Sequence, residues 1–345
     1  MGHLCIYHGI DLDGWTSAAI VNKLFPDTIL VGYNYGQPIP KIPDGHDVVI
    51  CDVAFPMEEM SEIAVKADSF TWIDHHISNI KKYEKYKELT DVNYWNVELP
   101  KDGEMIGACE LTWRHYHPGQ PAPESVRLLG MYDCFRHKGT PEEMTAMYFQ
   151  LYAQSVVNDP IGAMKLVDLT PSAMSPLITD AVIAKANESG EAIYRYKFMG
   201  AIQGYEKGFL VVIHGKKFHM SNSDRFNPTN YGIDYHKDGY DGSGCFWFDG
   251  KVWHMSLYND DGSVDCSEIC KKFGGGGHRG ASGCEPNIEI LLGILAGSFA
   301  SDDASSLIDP ALSPDAMIGN YPNETDHGKR AQKFINTNTS KNEKH

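Results

Sequence analysis

Short apolar runs alternate with amphipathic segments in the first part of the chain, and this alternation restricts the fold more than any other feature. The runs lie at residues 3–8, 28–35, 47–52 and 69–74, with helical apolar spacing between them at 15–25 and 57–67. Strands that alternate with helices predict a parallel sheet with helices on both faces. The runs are continuously apolar, which is typical of strands buried on both sides. The sequence therefore predicts an α/β fold.

The pattern changes twice further along the chain. From about residue 100 to 200 it is mainly helical, and after that short strand-like runs, one of them at 231–236, are separated by Gly, Asn and Asp turns. A chain of 345 residues exceeds the usual size of one domain. We therefore predict a first domain at 1–185, a helical linker at 186–204, a smaller α+β domain at 205–300 and a disordered, polar tail at 301–345.

The composition indicates where in the cell the protein is located and which partners it can bind. The first residues lack the basic flank and apolar stretch of a secretory signal, and no apolar run reaches the roughly 18 residues that span a bilayer. We expect a cytoplasmic protein without membrane contact. The formal net charge is −16, whereas proteins that bind long nucleic acid carry a basic surface. A nucleic-acid substrate would therefore be short, and no long duplex is expected as a partner.

Acidic and histidine side chains follow three of the four predicted strands. In chain order they are His8, Asp11 and Asp13, then Asp52, then Asp74, His75 and His76. A further carboxylate, Asp133, closes a helical pattern. Because ligands of an open parallel sheet bind beyond the carboxyl ends of its strands, we expect these side chains to meet in one crevice.

Such a crevice needs positive charge. Its five carboxylates would repel one another, and no lysine lies within the three clusters. Divalent cations are the natural counter-charge, and mixed Asp and neutral His ligands suit manganese, with magnesium or cobalt as alternatives. Two cations bridged by a carboxylate would form a site that cleaves phosphoesters. A single aspartate at a strand end is more often a helix N-cap, but the ordered set favours a metal site.

Four segments resemble the motifs of DHH phosphoesterases, in the order of that superfamily: HGIDLDG, VVICDVAF, WIDHH and GMYD. The segment GGGGHRGASG at 274–283 resembles the hallmark of the associated C-terminal domain. The resemblance covers about residues 1–300 and is nearest to the oligoribonucleases called nanoRNase B, whose first motif also reads YH, two residues, then DxDG. It implies a parallel-sheet DHH catalytic domain and a smaller α+β domain, with a cleft between them.

The resemblance also implies a role for each site residue. One cation would be held by His8, Asp11 and Asp52, and the second by Asp13, Asp52, His75 and Asp133, so that Asp52 is shared. His76 would face the substrate phosphate, and Asp74 would fix the orientation of a histidine. Many relatives place three residues, not two, between the first histidine and the first aspartate.

The glycine-rich segment is the predicted substrate site of the second domain. Successive glycine amides can form a nest around an anion. The residues assigned to substrate binding there are Gly275, Gly276, Gly277, His278 and Arg279. Relatives often carry Ser-Leu-Arg upstream, whereas this chain has Ser256, Leu257 and Tyr258. Ser256 and Tyr258 are therefore also assigned to substrate binding, and Tyr258 would stack on a base or sugar in place of the arginine.

These assignments predict manganese-dependent hydrolysis of dinucleotides or short oligonucleotides to mononucleotides. Three alternatives stay open. The same site could act on cyclic mononucleotides or on 3′-phosphoadenosine compounds. It could belong to a RecJ-like exonuclease for longer single strands, which the acidic charge disfavours. The protein could instead bind nucleotides without turnover, as a sensor. Members of this family often form homodimers, and the resemblance leaves a homodimer open for this chain, in whose sequence no interface is visible.

Overall fold

A computed structural model of the protein describes residues 2–171, 174–224 and 226–296. The predicted tail at 301–345 lies outside these ranges. The chain divides into two compact units, the first ending at Tyr194 and the second beginning at Arg195. No helix of the described residues is both long and apolar enough to cross a membrane.

The first unit is built on a parallel sheet. Its strands are β1 (Gly2–His8), β2 (Ile29–Tyr33), β3 (His46–Cys51), β4 (Ser69–Ile73) and β5 (Asn96–Glu98). They pair in the order β2-β1-β3-β4-β5, and every pairing is parallel. The predicted α/β class is thus confirmed. The sequence did not predict β5, which has three residues and no continuous apolar run.

Helices cover both faces of this sheet. Up to residue 206 the helices of the described residues are α1 (Leu12–Leu24), α2 (Met57–Lys66), α3 (Ile77–Leu89), α4 (Ala108–Tyr116), α5 (Glu124–Asp133), α6 (Glu143–Val156), α7 (Pro160–Val167) and α8 (Pro176–Glu206). On one face, Trp72 and Ile50 of the sheet pack against Met60 of α2 and Tyr83 of α3. On the other face, strand residues pack against α1 and α4. The predicted linker at 186–204 falls within α8.

The second unit has a six-stranded sheet. Its elements are β6 (Phe209–Ile213), β7 (Lys216–Asn222), β8 (Gly242–Phe248), β9 (Trp253–Tyr258), α9 (Cys266–Lys272), β10 (Gly276–His278), β11 (Ala281–Cys284) and α10 (Ile288–Leu295). The strand order is β10-β11-β9-β8-β7-β6, with β7 and β8 parallel and the other pairs antiparallel. Apolar side chains of α9 and α10 join the core on this sheet.

The prediction of a strand at 231–236 is wrong. The chain forms two short 3-10 helices there, Pro228–Tyr231 and Tyr235–Asp238. Asn227 caps the first of them by accepting a hydrogen bond from the amide of Thr229. Gly232 follows with φ 67°, a left-handed conformation that glycine adopts without steric cost and that ends the helix. The local capping chemistry therefore overrides the apolar pattern.

Candidate metal centre and substrate site

All the sequence-predicted ligands of the first unit meet at the carboxyl edge of its sheet. His8 ends β1, Asp52 follows β3, and the Asp74–His75–His76 triplet follows β4. The turn between β1 and α1 supplies Asp11, and the first turn of α1 supplies Asp13. The last residue of α5 is Asp133. These side chains form two neighbouring groups, and the carboxylate of Asp52 lies between the groups.

The first group contains His8, Asp11 and Asp52. The Nδ1 atom of His8 lies 2.5 Å from Oδ2 of Asp11 and 3.5 Å from Oδ2 of Asp52. Asp11 is also the N-cap of α1, because its Oδ1 accepts a hydrogen bond of 2.9 Å from the amide of Gly14. The helix cap and the metal ligand, which the sequence presented as alternatives, can therefore coexist in one side chain that uses a different oxygen for each role.

The second group contains Asp13, His75 and Asp133. The Nε2 atom of His75 lies 3.2 Å from Oδ2 of Asp133 and 3.6 Å from Oδ2 of Asp13. The same nitrogen lies 3.3 Å from Oδ1 of Asp52. Candidate ligand atoms of each group lie within 4.8 Å of one another. Such spacing allows one ion to contact all the members of a group.

Asp52 stands between the two groups. Its Oδ2 faces His8 and its Oδ1 faces His75. The side chain is buried, with 1% of the residue exposed, and Oδ1 makes no hydrogen bond of normal geometry. A buried carboxylate oxygen without a hydrogen-bond donor is costly unless a charge compensates it. One oxygen directed at each group is the arrangement expected of a bridging ligand.

Asp74 lies behind the ligands and orients the DHH triplet. Its Oδ1 accepts hydrogen bonds from the amides of His75 and His76, at 2.8 and 3.1 Å, and lies 2.7 Å from Nδ1 of His76. Its Oδ2 accepts a hydrogen bond of 2.8 Å from Nδ2 of Asn79. The histidine ring that Asp74 orients is thus that of His76, and not that of the predicted ligand His75. The sequence interpretation had not singled out Asn79.

Asp13 is held by the start of α4. Its two oxygens accept hydrogen bonds from the amides of Ala108 and Cys109, at 2.7 and 2.8 Å. Free amides at a helix N-terminus attract negative charge. The sequence pattern had not indicated that these two residues contribute to the site.

The crevice holds more negative charge than its histidines balance. Burial and the nearby charges of Asp52 and Asp133 raise the pKa of Asp13 well above its usual value. Burial also raises the pKa of Asp133 to about 6, although His75 opposes this shift. Burial opposes the charged form of His8, but neighbouring carboxylates raise its pKa to about 11. Raised pKa values of two buried acids, beside a raised pKa of an imidazole, indicate a shortage of positive charge in the crevice.

Divalent cations fit this donor set. It offers carboxylate oxygens and imidazole nitrogens, which suit manganese and related divalent ions. The buried Oδ1 of Asp52 would gain a positive partner. The raised pKa of Asp13 would fall next to a cation, because an opposite charge favours the ionised form. The residues present therefore fit the metal-binding role that the sequence predicts for them.

The second unit places the glycine-rich segment at one edge of its sheet. The amides of Gly274 and Gly275 donate to the carbonyls of Lys271 and Cys270, and Gly274 has φ 78°. These bonds close the C-terminus of α9 in the manner of a Schellman motif. The amide of Gly275, assigned from the sequence to an anion nest, is therefore already used by the helix end. The assignment of Gly275 to substrate binding stays a prediction.

The rest of the segment forms a hairpin rather than an open loop. Gly276–His278 is strand β10, which pairs with β11, and Gly277 faces Ser282. A Cβ atom on Gly277 would lie 2.8 Å from the carbonyl oxygen of Ala281, so this strand pair leaves no room for a side chain. Arg279 is exposed and donates hydrogen bonds to Oδ2 of Asp265 and the carbonyl of Gly262, at 3.3 and 3.0 Å.

Ser256 and Tyr258 lie on β9, next to β11. By register, Ser256 faces Gly283 and Tyr258 faces Ala281. Alternate residues of a strand lie on the same side of a sheet, so both side chains share one face. Both residues are half-buried. The structure thus brings these two residues close to the glycine-rich hairpin, although they are distant in sequence.

Known proteins provide a further comparison. No family model matches the chain. The uncharacterized protein R106 of Acanthamoeba polyphaga mimivirus is 24% identical over 318 residues, which cover 81% of this chain and 66% of that protein, just under two-thirds of its length. Oligoribonuclease NrnB of Bacillus subtilis is 22% identical over 347 residues, which cover 92% of this chain and 79% of NrnB.

Solved structures show a weaker likeness. The pGpG-specific phosphodiesterase PggH of Vibrio cholerae has a TM-score of 0.46 and 14% identity, over 86% of this chain and 97% of PggH. RecJ of Thermus thermophilus has a TM-score of 0.39 and 14% identity, over 86% of this chain and 49% of RecJ. Both TM-scores lie below 0.5, so neither structure supports an inference about the function of this chain. The ordered motifs, which meet in one crevice, resemble those of DHH phosphoesterases, and the chain is similar in sequence to an oligoribonuclease.

Proposed function

We propose that this protein is a two-metal phosphodiesterase that hydrolyses dinucleotides and short oligonucleotides to mononucleotides. The observation that carries the proposal is the position of Asp52, whose two carboxylate oxygens face two separate groups of ligands. A paired-cation site is a common solution for cleaving phosphoesters. The likeness to an oligoribonuclease supports short nucleic acid as the substrate class.

The first unit would hold the two cations through the residues described above. His8 and Asp11 would bind one ion, Asp13, His75 and Asp133 the other, and Asp52 both. Bound divalent cations would supply an activated water and would offset the charge that develops on the phosphate. We propose manganese as the ion used, because the donor set mixes carboxylates with imidazoles; magnesium or cobalt could replace it.

The chain's own residues would position the substrate. With Nδ1 of His76 directed at Asp74, which accepts hydrogen bonds as a carboxylate, the ring presents Nε2 as its other polar atom. We propose that this nitrogen contacts the substrate phosphate. In the second unit, we propose that His278, Arg279 and the strand pair that contains Gly276 and Gly277 contact substrate. There Tyr258 would stack on a base or sugar.

The test is hydrolysis of the dinucleotide pApA in the presence of Mn²⁺. Asp52→Asn keeps the size of the side chain and removes the charge that both groups share, so turnover should fall by at least about a thousandfold. The matched control is Asp68→Asn, an exposed residue at the amino end of β4, which should retain full activity. Retained turnover in Asp52→Asn would exclude a bridging role and, with it, the proposed mechanism.

A substrate panel separates the proposal from its alternatives. Release of AMP from pApA, with slower reaction of 3′,5′-cyclic AMP and 3′-phosphoadenosine 5′-phosphate, is the expected result. Faster turnover of either of the latter two would reassign the substrate without changing the metal centre. Tight binding of pApA without product, in Mn²⁺, would instead identify a nucleotide sensor.

A further inference from the structure

Tyr35 lies at the rim of the metal crevice and has no role in the function described so far. It follows β2 by two residues and is 54% exposed. Its ring centroid lies 6.1 Å from that of His8 and 6.2 Å from that of Tyr33. Of the four strands predicted from the sequence, β2 is the one whose end carries no predicted site residue, and Tyr35 lies just beyond that end.

The hydroxyl of Tyr35 is connected to the DHH triplet through Asn79. Nδ2 of Asn79 lies 2.8 Å from Oδ2 of Asp74 and 3.1 Å from the Tyr35 hydroxyl. An ionised carboxylate only accepts hydrogen bonds, so the amide group of Asn79 must direct its NH₂ toward Asp74. The second hydrogen of that NH₂ then points to Tyr35. At this contact the Tyr35 oxygen is the acceptor.

A second donor occupies the same oxygen. The amide of Ala54, two residues after Asp52, lies 3.3 Å from the Tyr35 hydroxyl and donates to it. Both lone pairs of the oxygen are thus engaged by N–H groups, and the hydroxyl hydrogen must be donated elsewhere. The hydrogen bonds found among the described residues give this hydrogen no acceptor. The result is a fixed hydroxyl that offers one donor at the edge of the crevice.

We infer that Tyr35 donates this hydrogen bond to a non-bridging phosphate oxygen of the substrate, beside His76. The inference rests on the proposed function, because it assumes that a phosphate occupies the crevice. The same carboxylate, Asp74, contacts His76 directly and Tyr35 through Asn79, so both groups are oriented together. Burial and the charge of Asp74 raise the pKa of Tyr35 to about 12, and the phenol therefore keeps its hydrogen at neutral pH.

The test measures binding of inorganic phosphate by the Mn²⁺-loaded protein, using calorimetry. Tyr35→Phe removes only the hydroxyl and should weaken phosphate binding by about tenfold, the usual effect of losing one hydrogen bond to a charged group. The matched control is Tyr33→Phe, which removes a neighbouring hydroxyl that contacts the carbonyl of Gln37 at 3.2 Å and should leave phosphate affinity unchanged. Affinity for Mn²⁺ should be the same in all three proteins.

The outcomes distinguish this inference from the proposed function. If Tyr35→Phe weakens Mn²⁺ and phosphate binding together, the hydroxyl only supports the structure, and the inference is wrong. The inference is also wrong if the wild type and Tyr35→Phe bind phosphate with equal affinity, or if neither protein binds phosphate. Weaker phosphate binding with unchanged Mn²⁺ affinity supports it, even if pApA is not hydrolysed. In that case the proposed activity fails while the phosphate contact stands.

Discussion

Asp52 adopts a left-handed backbone conformation, with φ 60°. This conformation is rare for residues other than glycine, but aspartate and asparagine tolerate it better than most. The amide of Asp52 still donates to the carbonyl of Ile73, at 2.8 Å, and continues the pairing of β3 with β4. The chain then turns sharply at the edge of the sheet, where the carboxylate is needed. Asparagine suits the same backbone, so Asp52→Asn tests the charge and not the fold.

Asp74 is predicted to contribute to stability as well as to the site. It is fully buried, and four hydrogen-bonding contacts converge on its two oxygens. Asp74→Asn removes the charge and places an NH₂ group among donors, so the free energy of unfolding should fall by about 2–3 kcal/mol. Urea denaturation in EDTA measures this. Asp102→Asn, at an exposed residue, should change it by less than about 0.5 kcal/mol; equal effects would contradict the structural role.

At the scale of elements, two helix ends assemble the second ligand group. The start of α4 holds Asp13 through its amides, and the end of α5 carries Asp133. The helices approach so closely that a Cβ atom on Gly107 would lie 2.6 Å from the Cα atom of Gly130. Arg136, just beyond α5, donates to both oxygens of Glu110 on α4, at 2.9 and 3.0 Å. This half-buried ion pair, made by Nη2 of Arg136, holds one helix end against the other.

Arg136→Ala should therefore weaken one of the two proposed Mn²⁺ sites. Loss of the pair with Glu110 leaves a largely buried carboxylate unpaired, and α4 can shift relative to Asp133. We expect the group that contains Asp13 to lose about tenfold in Mn²⁺ affinity, while the group that contains His8 keeps its affinity. Equilibrium dialysis with Mn²⁺ resolves the two sites.

The control for this prediction lies on the same helix. Arg114 of α4 forms comparable ion pairs with Glu98 and Glu104, which are not members of either ligand group. Arg114→Ala should leave both Mn²⁺ affinities unchanged. If both variants weaken binding equally, or if Arg136→Ala weakens both sites, the ion pair acts on the whole fold and does not position the second group.

The sequence predicted the elements whose signals are local. Continuous apolar runs located the first four strands, and their ends located His8, Asp52 and the DHH triplet. Contacts between distant segments left no local signal. Asp13 and Ala108 are 95 positions apart, and nothing in either segment alone shows that a helix end meets a carboxylate. The short strand β5 and the 3-10 helices near Gly232 escaped prediction because pairing partners and caps, rather than apolar periodicity, determine them.

At the scale of the whole molecule, the net charge bears on the length of the proposed substrate. The chain carries a formal net charge of −16, and every additional nucleotide adds one negative charge to the ligand. Local cations can hold one or two phosphates against this background. They cannot compensate a long strand, whose remaining phosphates face a net repulsion that acts over about one Debye length, roughly 10 Å at 0.1 M salt. The acidic composition thus favours the short substrates that the metal centre is proposed to cleave.

A length series at two salt concentrations tests this argument. We expect kcat/KM to fall from the dinucleotide to an oligoadenylate of about 24 nucleotides, and to fall more steeply at about 20 mM than at about 200 mM salt, because salt screens the repulsion. Proteins that bind long strands show the opposite dependence on salt. Their binding releases counterions from the nucleic acid, so their affinity falls as the salt concentration rises. Faster cleavage of the 24-mer at low salt, lost at high salt, would therefore indicate a basic binding surface and favour the RecJ-like alternative.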